Sequence, residues 1–251
     1  MKLHTAEVLH REAFGDHVLL RYRSDAPGGP PEPGQFVSVR PGGSTALDPF
    51  LSRPFFVHDS EGTTTSLLFE VRGRGTALLA EASELSVSGP LGRGFTVGGD
   101  GPALLLGGGV WVAPLKLLSR SLSRLGVEHE VFLEAPASAP AAYGSWLSGN
   151  YPGAELVPTG GAPDASRQVL DRAGDLSRYS AVYVSGGREM LVAAREAAAG
   201  RVPAQLAVRE RMACASGACY GCAVPVWSGG VRGHARACVE GPVFRGEALA
   251  W

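Results

Sequence analysis

The four cysteines constrain the fold of this chain most, because all of them lie within residues 214–251. Cys214, Cys219 and Cys222 have the spacing C-x4-C-x2-C, and Cys238 follows after fifteen further residues. This spacing matches plant-type ferredoxins, in which four thiolates bind a [2Fe–2S] cluster. Small residues between the cysteines allow a tightly wound loop to approach the inorganic sulfides closely. The sequence therefore predicts a [2Fe–2S] cluster on these four cysteines.

Three other interpretations of the cysteines stay open at this point. A zinc site usually has two C-x2-C pairs, often with histidine, whereas here the first gap is four residues and no second pair exists. Disulfides between such closely spaced cysteines would be cramped, and no export signal indicates an oxidising compartment. Buried structural cysteines rarely cluster this tightly. The cluster is therefore the interpretation that the spacing favours.

Length and charge exclude several classes of protein. The chain has 251 residues and a formal net charge of −1, so it is long enough for two domains and has no basic excess for nucleic acid. No apolar run reaches the roughly 18 residues of a membrane span. Residues 1–17 carry charges where a signal peptide has an apolar core. We expect a cytoplasmic protein with no nucleic-acid partner and no membrane span.

The pattern along the chain predicts three consecutive domains, of fold class α/β plus β. Short alternating stretches between glycine and proline turns predict an N-terminal antiparallel β-barrel over residues 1–99. Buried strands alternate with amphipathic helices over residues 100–207, which predicts a doubly wound parallel α/β nucleotide-binding domain. Residues 208–251 are predicted to form a small C-terminal [2Fe–2S] module.

Two stretches of the predicted barrel carry groups that can bind a phosphate. Arg53, which precedes Pro54, can pair with phosphate oxygens in bidentate geometry. The stretch GRGT at 73–76 directly precedes a helical segment, whose free N–H groups attract an anion and to which Thr76 can add a hydroxyl. Each stretch alone is typical of a strand edge or a capped turn. Their order ahead of a nucleotide-type sheet favours a cofactor site.

Nearly the whole chain resembles the electron-transfer subunit of class B dihydroorotate dehydrogenases, within the ferredoxin-reductase superfamily. The matching stretches are PGQF, RPxxV, GxGT, GPLGRGF at 89–95, GGGVxVAP at 107–114, SGGREM at 185–190, ERMACASGACYGCAVP, and C-x-x-GPVF at 238–244. The two cysteine-containing stretches are the most specific. The resemblance implies that the barrel binds FAD and that the four cysteines bind the cluster.

The resemblance assigns the FAD contacts to three segments of the barrel. They are Arg53, Pro54, Phe55 and Phe56; Leu68, Phe69 and Glu70; and Gly75 and Thr76. Two positions depart from the family pattern, which has serine in place of Phe56 and Tyr-Arg in place of Phe69-Glu70. Because Glu70 repels a pyrophosphate, Arg72 or Arg74 is expected to replace the missing arginine.

In the family the second domain binds NAD, and here its pattern is altered. Trp111 stands where the pattern GGGxGxxP has a glycine, and Ser185-Gly186-Gly187 stands where relatives have Cys-Gly-Pro. Residues 132–140 lack the polar or basic residue often used on the adenosine side, and TGGAP at 159–163 replaces T-x-DGS. These departures predict that NAD binding is weakened or lost. The alternative is that Trp111 packs on the neighbouring domain and the loop shifts slightly.

The resemblance implies an oxidoreductase subunit in pyrimidine biosynthesis. An FMN-containing catalytic subunit would oxidise dihydroorotate, and electrons would pass through [2Fe–2S] and FAD to an acceptor, in a heterotetramer of two of each subunit. We assign no catalytic side chain. The alternatives are a stand-alone ferredoxin-type NAD(P)H reductase and a reductase subunit of another complex, such as a hydrogenase or a glutamate-synthase-like assembly.

Overall fold

The computed structural model describes residues 2–23, 28–42, 47–137, 139–159 and 164–251. Its N-terminal part is built from six strands and one helix. These are β1 (His4–Phe14), β2 (His17–Arg23), β3 (Phe36–Arg40), β4 (Arg53–Glu61), β5 (Thr64–Glu70), α1 (Arg74–Glu81) and β6 (Glu84–Leu91).

The six strands close into an antiparallel barrel in the order β1-β2-β5-β4-β3-β6. Apolar side chains that alternate along the strands fill its interior, among them Leu20, Tyr22, Val37, Val57 and Leu67. This alternation is what places one face of every strand in the core. Helix α1 covers one end, with Leu79 buried in the same core.

The second part alternates strands with helices. Its elements are β7 (Ala103–Gly108), α2 (Ala113–Arg124), β8 (His129–Pro136), α3 (Ala141–Asn150), β9 (Glu155–Thr159), α4 (Ala165–Ala173), β10 (Ala181–Ser185), α5 (Arg188–Ala198) and β11 (Ala204–Ala207). The C-terminal part adds β12 (Ala223–Ser228), β13 (Val231–Arg236) and β14 (Val243–Arg245).

A six-stranded sheet with the order β14-β11-β10-β7-β8-β9 forms the second part. Its strands are parallel except β14. Leu104 and Leu106 of β7 face the side covered by α4 and α5, while Leu105 faces the side covered by α2 and α3. Helices on both faces make this the doubly wound sheet that the sequence predicts.

The cysteine-containing segment is joined to both other parts. Its strands β12 and β13 form a hairpin, and β14 pairs with β11 as an antiparallel edge strand of the parallel sheet. On the barrel side, Arg93 forms a bridge with Pro242. The domain limits at residues 99 and 207 stay a prediction. None of the helices in the described ranges is long and apolar enough to cross a bilayer.

Candidate cofactor sites

The cysteine loop between β11 and β12 is curled by residues in the left-handed region of the backbone. Ala215 (φ 52°), Gly217 (φ 83°) and Tyr220 (φ 56°) all have positive φ, which is uncommon for residues other than glycine. Packing also requires Gly217, because a Cβ there would lie 2.8 Å from Cγ2 of Val239. The loop is therefore held tightly against the segment that carries Cys238.

The four cysteines form two pairs. The Sγ atoms of Cys222 and Cys238 are 3.3 Å apart, and both side chains are buried. Cys214 lies beside Cys219: the N–H groups of Ser216 and Cys219, and then the side chains of the same two residues, hold the pKa of Cys214 below its usual range. Burial, and then Cys222, raise the pKa of Cys238.

This pairing separates the kinds of site that four cysteines can form. A disulfide needs sulfur atoms about 2.05 Å apart, whereas all four cysteines, which lie in the described chain, are free thiols. A zinc site needs four donors around one ion, but in the described residues no three His, Cys, Asp or Glu side chains surround a common point. A [2Fe–2S] cluster divides four thiolates between two irons. Two separate thiol pairs fit that division.

In the barrel, Arg53 and the start of α1 come together. The guanidinium of Arg53 lies against Gly75, where a Cβ would be 2.7 Å from Nη2, and its Nη1 donates to the carbonyl of Leu51 at 2.5 Å. The Thr76 hydroxyl accepts from the N–H of Gly73 at 3.3 Å and donates to its carbonyl at 3.0 Å, so it shapes the turn. A guanidinium beside a helix N-terminus is an arrangement that binds phosphate.

The other predicted flavin residues lie on β4 and β5. Phe55 and Phe69 contact each other, with ring centroids 5.1 Å apart. Leu68 and Phe69 are each 3% exposed, so mainly their backbone groups are available to a ligand. Pro54 opposes Ser38 in the ladder between β3 and β4.

Two arginines near this site already pair with carboxylates. Arg72 lies 2.8 Å from Glu70, which neutralises the carboxylate that replaces the family's arginine. Arg74 forms an ion pair with Asp48. Arg72 is therefore the residue that offsets the charge of Glu70.

One hydrophobic core links the flavin segment to the cysteines. Phe36, Cys222 and Cys238 belong to a single continuous cluster of buried side chains, and Phe56 packs against it. The barrel and the cysteine loop thus both contribute side chains to one continuous buried core. A continuous packed core suits electron transfer between two cofactors.

The glycine-rich turn between β7 and α2 is a short 3-10 helix over Gly109–Val112. Side-chain hydroxyls of three residues that are distant from the turn in sequence donate to its carbonyls. The pairs are Tyr143 with Gly109 at 2.7 Å, Tyr151 with Val112 at 2.8 Å, and Ser185 with Trp111 at 2.5 Å. Burial is the main cause that raises the pKa of Tyr151, and the phenol therefore stays a donor. These bonds have no local sequence signal, because their partners are far apart in the chain.

The Trp111 side chain lies directly over this turn. A Cβ on Gly109 would be 3.2 Å from Cε3 of the indole. The guanidinium carbon of Arg209 is 5.0 Å from the centroid of the indole, and that of Arg72 is 6.0 Å from it. These distances are within the range of cation–π contacts, so the indole is held in place by two arginines.

Residues 132–140 are predicted to lack the polar or basic residue often used on the adenosine side, and this stays a prediction, but the stretch places one carboxylate beside the glycine-rich turn. Glu134, at the end of β8, lies beside Gly108 of the glycine-rich turn, where a Cβ would be 2.5 Å from Oε2. Its other oxygen accepts a hydrogen bond from Thr159 at 3.0 Å. The sequence feature that could have identified Glu134 is its position at the carboxyl end of a parallel strand, where doubly wound sheets bind ligands. Residues 138 and 160–163 lie outside the described residues.

Comparison with known proteins identifies the family. Residues 209–250 match the model described as the iron–sulfur cluster binding domain of dihydroorotate dehydrogenase B. The dihydroorotate dehydrogenase B (NAD(+)), electron transfer subunit of Caldanaerobacter subterraneus subsp. tengcongensis is 34% identical over 229 residues, which cover 87% of each chain. The protein of the same name from Desulforamulus reducens is 32% identical over 233 residues, again 87% of each chain. This chain belongs to the family of dihydroorotate dehydrogenase B electron transfer subunits.

Membership of this family confirms the resemblance seen in the sequence, and solved structures agree with the fold. An NADH-dependent reduced ferredoxin-NADP oxidoreductase superposes with a TM-score of 0.77 at 23% identity, covering 98% of this chain and 90% of that chain. Phthalate dioxygenase reductase superposes with a TM-score of 0.60 at 16% identity, covering 90% of this chain and 87% of that one. The predicted fold class is confirmed.

Proposed function

We propose that this member of the family is the electron transfer subunit of a dihydroorotate dehydrogenase, an oxidoreductase of pyrimidine biosynthesis. The observation that carries the proposal is the cysteine loop. It lies in the stretch that matches the family's iron–sulfur domain, and its four thiols form two pairs. The chemistry of dihydroorotate oxidation resides in a partner subunit, and no side chain of this chain acts as acid or base.

Cys214, Cys219, Cys222 and Cys238 hold the cluster in this proposal. The [2Fe–2S] cluster carries single electrons, and FAD exchanges electrons singly or in pairs. The exposed Cys219 lies on the outer side of the loop, while Cys222 and Cys238 face the core shared with the barrel. In this proposal the cluster lies between the protein surface and the flavin segment.

Arg53 binds the FAD pyrophosphate together with the first turn of α1. Gly75 leaves room for the guanidinium, and Thr76 fixes the turn that presents the N–H groups. Phe55 and Phe56, next to Arg53 on β4, are partly exposed and contact the flavin ring. Leu68, Phe69 and Glu70 contribute backbone groups, because two of them are buried and the third pairs with Arg72.

The partner is a catalytic subunit that carries FMN, in a heterotetramer of two of each subunit. The cysteine loop and its hairpin offer a surface for it, since Tyr220, Trp227 and Val231 are 56%, 50% and 70% exposed. We keep the cytoplasmic location and the limits 1–99, 100–207 and 208–251 as parts of the same proposal.

Co-purification followed by reduction tests the proposed function. The tagged chain is expressed in its own host, its partners are identified, and dihydroorotate is added without oxygen. We expect an FMN-containing partner and dihydroorotate-dependent bleaching of the iron–sulfur absorption. Recovery of a hydrogenase or glutamate-synthase subunit, or steady NAD(P)H oxidation by the chain alone, would assign it to one of the alternative functions.

A further inference from the structure

We propose that Trp111 is a specificity-determining residue that closes the glycine-rich turn to nicotinamide nucleotides. The proposal rests on the proposed function in one respect: it treats this turn as the nucleotide-binding region of an electron transfer subunit. The names of the two relatives include NAD(+). The closure of the turn would therefore be a property in which this chain differs from them.

The indole occupies the space that a nucleotide would need. A pyrophosphate binds at a strand–turn–helix only where the backbone is free to approach it closely. Here the indole covers the backbone of Gly109, with 3.2 Å from Cε3 to the position of a Cβ. The turn is therefore shielded by a side chain of its own.

The turn cannot shift aside to make room. Its carbonyls accept hydrogen bonds from Tyr143, Tyr151 and Ser185, and these three residues are 1%, 3% and 0% exposed. A displacement of the turn breaks these bonds, of which the one from Tyr151 to the carbonyl of Val112 is buried, and buried groups left without partners are costly. The alternative, a small loop shift that restores the site, conflicts with this anchoring.

The charges around the indole hold it over the turn. Arg209 and Arg72 face its ring at 5.0 and 6.0 Å, so two cations are engaged by the indole. The carboxylate of Glu134 lies beside Gly108 of the same turn, and its negative charge repels a phosphate there. Thr159 already donates to this carboxylate.

Calorimetric titration with NAD(+) tests the proposal directly. It uses the full-length protein with its bound cofactors, as wild type and as the variants Trp111→Gly, Trp111→Phe and Trp227→Gly. We expect Trp111→Gly to bind NAD(+) about tenfold more tightly than wild type or better, which is about 1.4 kcal/mol. Trp111→Phe keeps an aromatic ring over the turn and should behave as wild type. Trp227, a half-exposed tryptophan of the hairpin, is the matched control and should also leave binding unchanged.

Equal affinity of wild type and Trp111→Gly for NAD(+) would overturn the proposal. If Trp111→Gly does not fold, anaerobic titration of the wild type with NADH decides: rapid stoichiometric bleaching of the flavin refutes the closure, and a flavin that only dithionite reduces supports it. Absence of flavin from the purified protein would instead refute the proposed function, and the NAD(+) titration would still report on Trp111.

Discussion

Replacing Gly75 with alanine should weaken flavin binding without lowering folding stability. The new Cβ would lie 2.7 Å from Nη2 of Arg53 and 2.9 Å from Cζ and Nε. Cβ atoms in folded proteins do not come this close to non-bonded heavy atoms. Because these atoms are the far end of a flexible side chain, the guanidinium moves away and the fold is kept. We expect Arg53 to leave the start of α1.

The size of the effect follows from the interaction that is lost. A hydrogen bond to a charged group contributes about 1.5–3 kcal/mol, and at about 1.4 kcal/mol per tenfold this corresponds to a loss of FAD affinity of about 10- to 150-fold. The same substitution in a helix stabilises by about 0.5–1 kcal/mol. Affinity for FAD and stability of the apoprotein should therefore change in opposite directions.

The assay measures the dissociation constant of FAD by the recovery of flavin fluorescence, and the thermal midpoint of the apoprotein. Gly73→Ala is the matched control, because Gly73 has extended backbone (φ 170°) and nothing within 4 Å of an added Cβ. Arg53→Ala gives the full loss for comparison. If Gly75→Ala retains FAD within about twofold, or if both glycine variants lose it equally, Arg53 does not bind the phosphate in the way we infer; a twofold change is only about 0.4 kcal/mol.

Three further predictions address the cluster, the turn and the pH response. Cys219→Ser should abolish the visible iron–sulfur spectrum while FAD stays bound; loss of both cofactors would contradict the separate sites. Tyr151→Phe removes the donor to a buried carbonyl and should lower the free energy of unfolding by about 1–3 kcal/mol, whereas Tyr220→Phe, at an exposed ring, should leave it unchanged in denaturant titrations. Burial lowers the pKa of His58 to about 4, against about 6.5 in the unfolded chain. The unfolded chain therefore takes up this proton first, and stability should fall by on the order of 3 kcal/mol as the pH decreases from 6.5 to 4; unfolding curves of His58→Gln should lack this loss.

The fold could be predicted from the sequence where its signals are local. Alternation of apolar residues predicted the barrel strands, and strands alternating with helices predicted the doubly wound sheet. The strand β14 gave no such signal, since it has three residues and gains its place only by pairing with β11. Whether such a short strand forms depends on contacts between distant segments, and a periodic pattern in the sequence carries no information about those contacts.

The candidate sites were predictable to the extent that their residues are close in sequence. The cysteine spacing predicted four cluster ligands, which stay a prediction, and the two stretches singled out for phosphate, Arg53 and GRGT, lie together in the structure. The hydroxyls that anchor the turn at Trp111 come from α3, its following loop and β10. Tyrosine and serine at such positions look like ordinary core residues, because only the fold brings them to the carbonyls.

The pairing of β14 with β11 has a consequence for how electrons move. Ala207 and Val243 are register partners, so the chain leaves the sheet and returns to it at the same place, and residues 208–242 form a loop with both ends anchored. Proteins that transfer electrons by the motion of a tethered domain need a flexible linker. This loop is instead attached at both ends to paired strands of the sheet. The cluster ligands are therefore fixed relative to the sheet, and we expect the rate of internal electron transfer to be insensitive to solvent viscosity.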